Sequence, residues 1–151
     1  MPGRPPGARS WKAIEPLWQQ VSTSQEPDVF LARLARFPFE LGRLFAARWC
    51  VCEVHNGGFH QFFTNPTGVL APEAAAGFEL IGLADCAETV RHAMVFFGDR
   101  YPRDQKIRQT LLSRMSEERN PFRALDDDFF AATQDERFER ASDAYVEAHP
   151  A

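Results

Sequence analysis

The apolar residues of this chain recur at helical spacing, and nowhere do they alternate with period two for long enough to make a strand. Phe30, Leu31, Leu34 and Phe37 fall at i, i+1, i+4 and i+7, a single stripe. Between Leu44 and Val54 only Arg48 and Glu53 are charged, so residues 39–56 predict a central helix enclosed on most sides. Asn56-Gly57-Gly58 should stop it, because glycine enters the left-handed conformation that ends a helix. A short helical piece, Phe59 to Phe63, follows, and Asn65-Pro66-Thr67-Gly68 suits a type I turn.

Further along, proline and capping residues mark the starts of helices. Pro72 fits a first helical position, Asp85 with Glu88 forms a variant of the capping box, and Pro102 opens a helix with Ile107, Leu111, Leu112 and Met115 inward. Asn120-Pro121 repeats the cap-then-proline pattern. Thr133 and Glu136 make a capping box ahead of Phe138, Ala141 and Tyr145. The expectation is an all-α fold, a single compact domain of about seven helices over residues 10–151. The prolines and glycines of residues 1–9 read as a flexible leader. At 151 residues with 44% hydrophobic content, one core can form and wholesale disorder is excluded.

Three cysteines, Cys50, Cys52 and Cys86, are too few and odd in number for a disulfide framework. The first ten residues carry charge with no apolar run behind them, unlike a signal peptide, and no stretch has the apolar length of a membrane span. A cytoplasmic protein with no membrane association is expected.

The net charge is only −4, too mild to mark a nucleic-acid binder. Its layout says more. Residues 99–125 hold seven basic side chains (Arg100, Arg103, Lys106, Arg108, Arg114, Arg119 and Arg123) against four acidic ones, Asp99, Asp104, Glu117 and Glu118. Residues 126–151 hold eight acids and two arginines. Glu136, Glu139, Asp143 and Glu147, spaced 3, 4 and 4, line one helix face, and Asp126, Asp127 and Asp128 lie just before them. These seven acids are the candidate partner-binding surface; a plain solvated face opposite Phe138, Ala141 and Tyr145 is the alternative. The basic block has no nucleic-acid motif and is diluted by its own acids, so direct nucleic-acid binding is not expected.

Candidate chemistry is sparse. Cys50, Cys52, His55 and His60 fall within eleven residues, but Cys50 and Cys52 point about 200° apart on a helix, and no common zinc spacing is matched. No metal site and no cofactor are expected. Glu53, the lone acid of an apolar stretch, sits where the helix dipole opposes it, so an arginine or backbone N–H groups from elsewhere should compensate it. A small hydrolase or metal-assisted enzyme centred on Glu53, His55 and His60 is the alternative to a non-enzymatic binding domain. No glycine-rich phosphate loop is present, and Phe59, Phe62 and Phe63 at i, i+3 and i+4 suit docking of a short helix onto a core.

The run from Glu53 to Asn65, with Glu53, Asn56, Gly57, Gly58, Phe59, Gln61, Phe62, Phe63 and Asn65 in register, resembles a family of small all-helical bacterial proteins that includes a DNA mimic. Ala71-Pro72-Glu73-Ala74 leading to Ile81-Gly82, and Leu125 to Phe130 leading to Tyr145-Val146, extend the resemblance over about residues 39–149. His55 departs from the family pattern. The resemblance implies an all-helical domain with no cofactor or catalytic residue. It further implies a protein partner, a DNA-binding protein in the mimic's case, and a homodimer. With a basic block beside the acids, mimicry spread over the whole molecule does not fit. The acidic C-terminal helix is left as the expected partner surface.

Overall fold

The computed structural model describes residues 3–115 and 120–150, and among these it holds eight α-helices, two short 3-10 turns and no strand. The order is α1 Ala8–Gln20, α2 Pro27–Leu34, α3 Phe39–Thr64, a 3-10 turn Pro66–Leu70, α4 Ala71–Leu80, α5 Ala84–Val95, α6 Gln105–Arg114, α7 Arg123–Ala132, a 3-10 turn Gln134–Glu136, and α8 Arg137–Ala148. The α3 helix is the axis, and α1, α4, α6 and α7 pack against it. The reason lies in its sequence: Leu44, Phe45, Ala46, Ala47, Cys50 and Val54 are all essentially inaccessible, so the helix turns apolar or small surface to several neighbours at once. Phenylalanines carry the core outward, Phe59 and Phe78 both meeting Phe129 edge-on and Phe78 also meeting Phe138.

Several helix starts differ from those expected, each because a side chain finds a better partner. Ala8 and Arg9 are already helical and Gly7 is buried, so α1 begins before residue 10. Asp85 does not cap α5; it accepts from Arg137 at 2.6 Å and from the Cys86 N–H. Pro102 precedes rather than opens α6, whose cap is Asp104 accepting from the Ile107 N–H at 3.0 Å. Thr133 and Glu136 form no capping box. The Thr133 hydroxyl donates back to the Phe129 carbonyl, and Asp135 and Glu136 both take left-handed backbone angles. The Asn65–Gly68 turn is present, with Gly68 N–H on the Asn65 carbonyl, but winds on as the 3-10 turn.

The largest departure is in α6. Ile107 is 52% exposed, and the residue turned fully inward is Arg108. Its Nε donates to the Phe63 carbonyl at 2.9 Å and its Nη2 to the Asn65 carbonyl at 2.9 Å. Nη1 reaches the Pro102 and Arg103 carbonyls. Gln105 and Gln109, on the same face of α6, both donate to the Thr64 carbonyl. The last turn of α3 leaves carbonyls without intrahelical partners, and this face of α6 supplies the donors. Tyr101 and Arg103 extend the arrangement to the Gly68 and Val69 carbonyls, with Arg103 also gripping Glu73 through two bonds of 2.7 and 2.9 Å. Among the described residues no carboxylate forms an ion pair with Arg108; burial draws its pKa below the ordinary arginine value against the opposing pull of Tyr101 and the more distant Asp104, and backbone dipoles solvate its charge. Gly68 makes the space, since a Cβ there would stand 2.8 Å from Arg108 Nε and from the Phe62 carbonyl oxygen.

Replacing Arg108 with Met should therefore strand several buried carbonyls and cost about 3–5 kcal/mol, read as a shift in the urea midpoint. Arg108→Lys should recover only part of that, because an ammonium lacks the planar fork. Gly68→Ala should behave as a milder Arg108 variant. Equal stability of Arg108→Met and the wild type would show that the clamp is dispensable.

Candidate functional site

The Glu53–Asn65 motif builds a joint rather than an open site. Within α3 the backbone leaves helical geometry at Gly57 and Gly58, and the chain continues as a second helical segment up to Thr64. Gly58 has φ +76°, a conformation costly for any residue with a Cβ. A Cβ on Gly58 would also stand 2.6 Å from Asp126 Oδ2, and one on Gly57 would collide with the Gln61 side chain. Both glycines thus make room for polar groups that close the joint. Asp126, from α7, accepts the Phe59 N–H at 2.8 Å and so caps the second segment from outside.

Among the described residues Glu53 is compensated by neither arginine nor backbone. Its Oε2 accepts from Asn65 Nδ2 at 2.7 Å and more weakly from Gln61 Nε2 at 3.4 Å, while Asn56 Nδ2 donates to Gln61 Oε1 at 3.2 Å. The four polar motif residues therefore form one network across the bend. Phe59, Phe62 and Phe63 are fully buried behind it. The motif's amides do what distant groups were expected to do, because the bend folds Gln61 and Asn65 back over the last turn of the first segment.

The residues of the enzymatic alternative are not brought together. Glu53 binds motif amides, while His55 Nε2 lies 2.7 Å from Thr133 Oγ1. The Thr133 proton goes to the Phe129 carbonyl, so the imidazole donates. His60 is exposed, with its Nδ1 3.4 Å from the Thr64 hydroxyl oxygen. A cleft of about 450 Å³ borders His60, Leu112 and Phe122, but neither Glu53 nor His55 lines it. Among the described residues no group of three or more His, Cys, Asp or Glu side chains is placed to hold a metal ion. Cys50 and Cys86 are buried, and burial first of all pushes both thiols up, Cys86 to about 12. Such thiols are poor nucleophiles. Cys52 is exposed.

The seven acids divide. Asp126 is inside the joint. Asp143 accepts the Gly7 and Ser10 N–H groups at 2.7 and 2.9 Å, Glu147 pairs with Arg9, and the Glu139 side chain packs beside Gly7. The predicted stripe on α8 thus runs under α1 beyond Glu136. The contact links residues more than 130 positions apart, and no local signal announces it. Asp127, Asp128 and Glu136 are exposed, with no ion pair or hydrogen bond among the described residues, and Asp135, which the sequence reading did not single out, joins them. Of the basic block, Arg103 and Arg108 are committed inside the fold; Arg119, with Glu117 and Glu118, lies outside the described residues.

Burial raises the Asp126 carboxyl above its ordinary value of 3.8, against the lowering effect of the Phe59 N–H. The folded chain therefore holds this proton more tightly than the unfolded one. The stability linked to it is full below the unfolded pKa and lost as pH rises through the folded value. Asp126→Asn, which keeps an acceptor and sheds the desolvated charge, should match or exceed wild-type stability at pH 7 and lose that margin near pH 3. Asp126→Ala should cost about 1–2 kcal/mol at pH 7. Chemical denaturation at the two pH values reads both; an Asn variant weaker than the Ala variant at pH 7 would overturn the cap assignment.

No curated protein and no solved structure matches this chain. A model of the family described as DMP19-like protein matches residues 35–149, which takes in α3 to α8 and the whole joint. The match spans well over half of the sequence, and the all-helical architecture agrees with it. The chain belongs to the DMP19-like protein family.

Proposed function

We propose that this chain is a non-enzymatic, cytoplasmic protein-binding domain that meets a basic, DNA-binding protein with an acidic surface at the junction of α7 and α8. The observation that carries this reading is the set Asp127, Asp128, Asp135 and Glu136: all four are exposed and unpaired among the described residues, within ten positions of one another. Four like charges set close together repel one another and lower stability. Asp135 and Glu136 add left-handed backbone at φ 57° and 58°, which costs roughly 1–3 kcal/mol at each such residue. A fold under selection for stability alone would replace them; a surface that steers a basic partner gains from keeping them. Family membership supports the same direction, and the resemblance to the DNA mimic suggests a homodimer as the working form. Among the described residues no helix is long and apolar enough to cross a membrane.

Reversing the four charges to lysine should abolish capture of basic, DNA-binding proteins from lysate by the immobilised chain. Capture by the wild type should fall steeply between about 0.1 and 0.5 M salt, as exposed-charge attraction is screened. The far-ultraviolet helical signal of the variant checks its folding. Retention of the same proteins by the reversed variant would sink the proposal.

A further inference from the structure

Three of the acids expected on the partner surface are already engaged by this chain's own N-terminal turn. Gly7 and Ser10 give their N–H groups to Asp143, Arg9 gives its guanidinium to Glu147, and Gly7 rests on the Glu139 stem. Ser142 Oγ donates to Ser10 Oγ at 3.0 Å, fastening the same turn. Glu139 to Glu147 spans about 12 Å along α8. The donors lying on it, an arginine fork and backbone N–H groups, are those that a basic protein surface would present to carboxylates. α1 lies outside the matched residues 35–149.

The way α1 is held differs along its length. From Ile14 onward it is anchored by apolar burial: Ile14 is 2% exposed, Leu17 and Val21 are buried, and Trp18 stacks on Trp49. Residues 7–12 have no fully buried apolar side chain; polar contacts hold them, with Trp11 half-buried beside Trp18 and under the Arg48 guanidinium. Pro16 lies within the anchored part, and α1 runs through it unbroken with only the Lys12 carbonyl left without an N–H donor. The first turn is thus held to α8 chiefly by polar contacts, and the rest of α1 is held in the core by apolar burial.

We infer that the first turn of α1 is a cis-acting cover: it occupies the Glu139–Asp143–Glu147 face of α8 and competes with an arginine-rich segment of a partner protein for it. This rests on the acidic-surface reading above. It extends the surface along α8 and makes access to that part conditional on displacement of residues 7–12.

The test uses the full chain and a fluorescent deca-arginine peptide, with affinity read by anisotropy at low salt. Arg9→Ala should bind about two- to fivefold tighter than wild type. Arg36→Ala, which removes the same charge from an exposed position between α2 and α3, should change binding less. Hydrogen exchange at the Gly7 and Ser10 amides should quicken when the peptide is added to the wild type. Peptide binding that is weakened by reversal of Asp127, Asp128, Asp135 and Glu136, yet responds equally to Arg9→Ala and Arg36→Ala, would overturn the cover and leave the acidic surface standing. Absence of binding to both the wild type and Arg9→Ala would overturn the cover and the surface together.

Discussion

One guanidinium organises the centre of this protein. Arg108 is fully enclosed, and among the described residues its hydrogen bonds all go to carbonyl oxygens, four of them, at the point where α3 ends and the chain turns toward α4. A buried charge without a counter-ion is ordinarily expensive. Here the oxygens come from the negative end of a helix and from the segment that leads into α6, and the helix-end dipoles need a cation as much as the cation needs them. The clamp settles where α6 lies, and with it the course of the Tyr101–Arg103 segment along the turn that leads into α4.

The same logic recurs at the bend of α3. Breaking a helix frees N–H groups on one side and carbonyls on the other, and the fold answers each with a side chain from a distance. Asp126 takes the Phe59 N–H, while Arg108, Gln105 and Gln109 take the final carbonyls. At glycines 58 and 68 Asp126 and Arg108 approach the backbone too closely for a Cβ, and Gly57 makes the same room for the nearby Gln61. In this chain the Glu53–Asn65 run thus bends a buried helix, and Glu53 is part of the network across the bend.

The sequence made local features legible and left distant partnerships hidden. The glycine stop, the docking of Phe59, Phe62 and Phe63 and the all-helical class follow from spacing and conformational preference, which act within a few residues. Arg108 looked like one cation of a basic block. Its face of α6, Gln105, Arg108, Gln109 and Leu112, reads as mostly polar, so a hydrophobic pattern points to Ile107 instead. Only the accounting of α3's orphan carbonyls asks for a donor there, and that accounting needs the fold. Asp143 is a similar case: a carboxylate in a solvated-looking stripe caps a helix at the other end of the chain. Charge periodicity shows which residues share a face, and is silent on what lies across it.

All three tryptophans of the chain gather at one place. Trp18 of α1 stacks on Trp49 of α3 with centroids 4.2 Å apart, and Trp11 meets Trp18 edge-on at 5.0 Å. The α4 to α8 part contains none. The intrinsic fluorescence of this protein is therefore a local gauge: it reports the seam between the N-terminal helix and the axis, and an unfolding curve followed by that emission describes the seam before it describes the molecule.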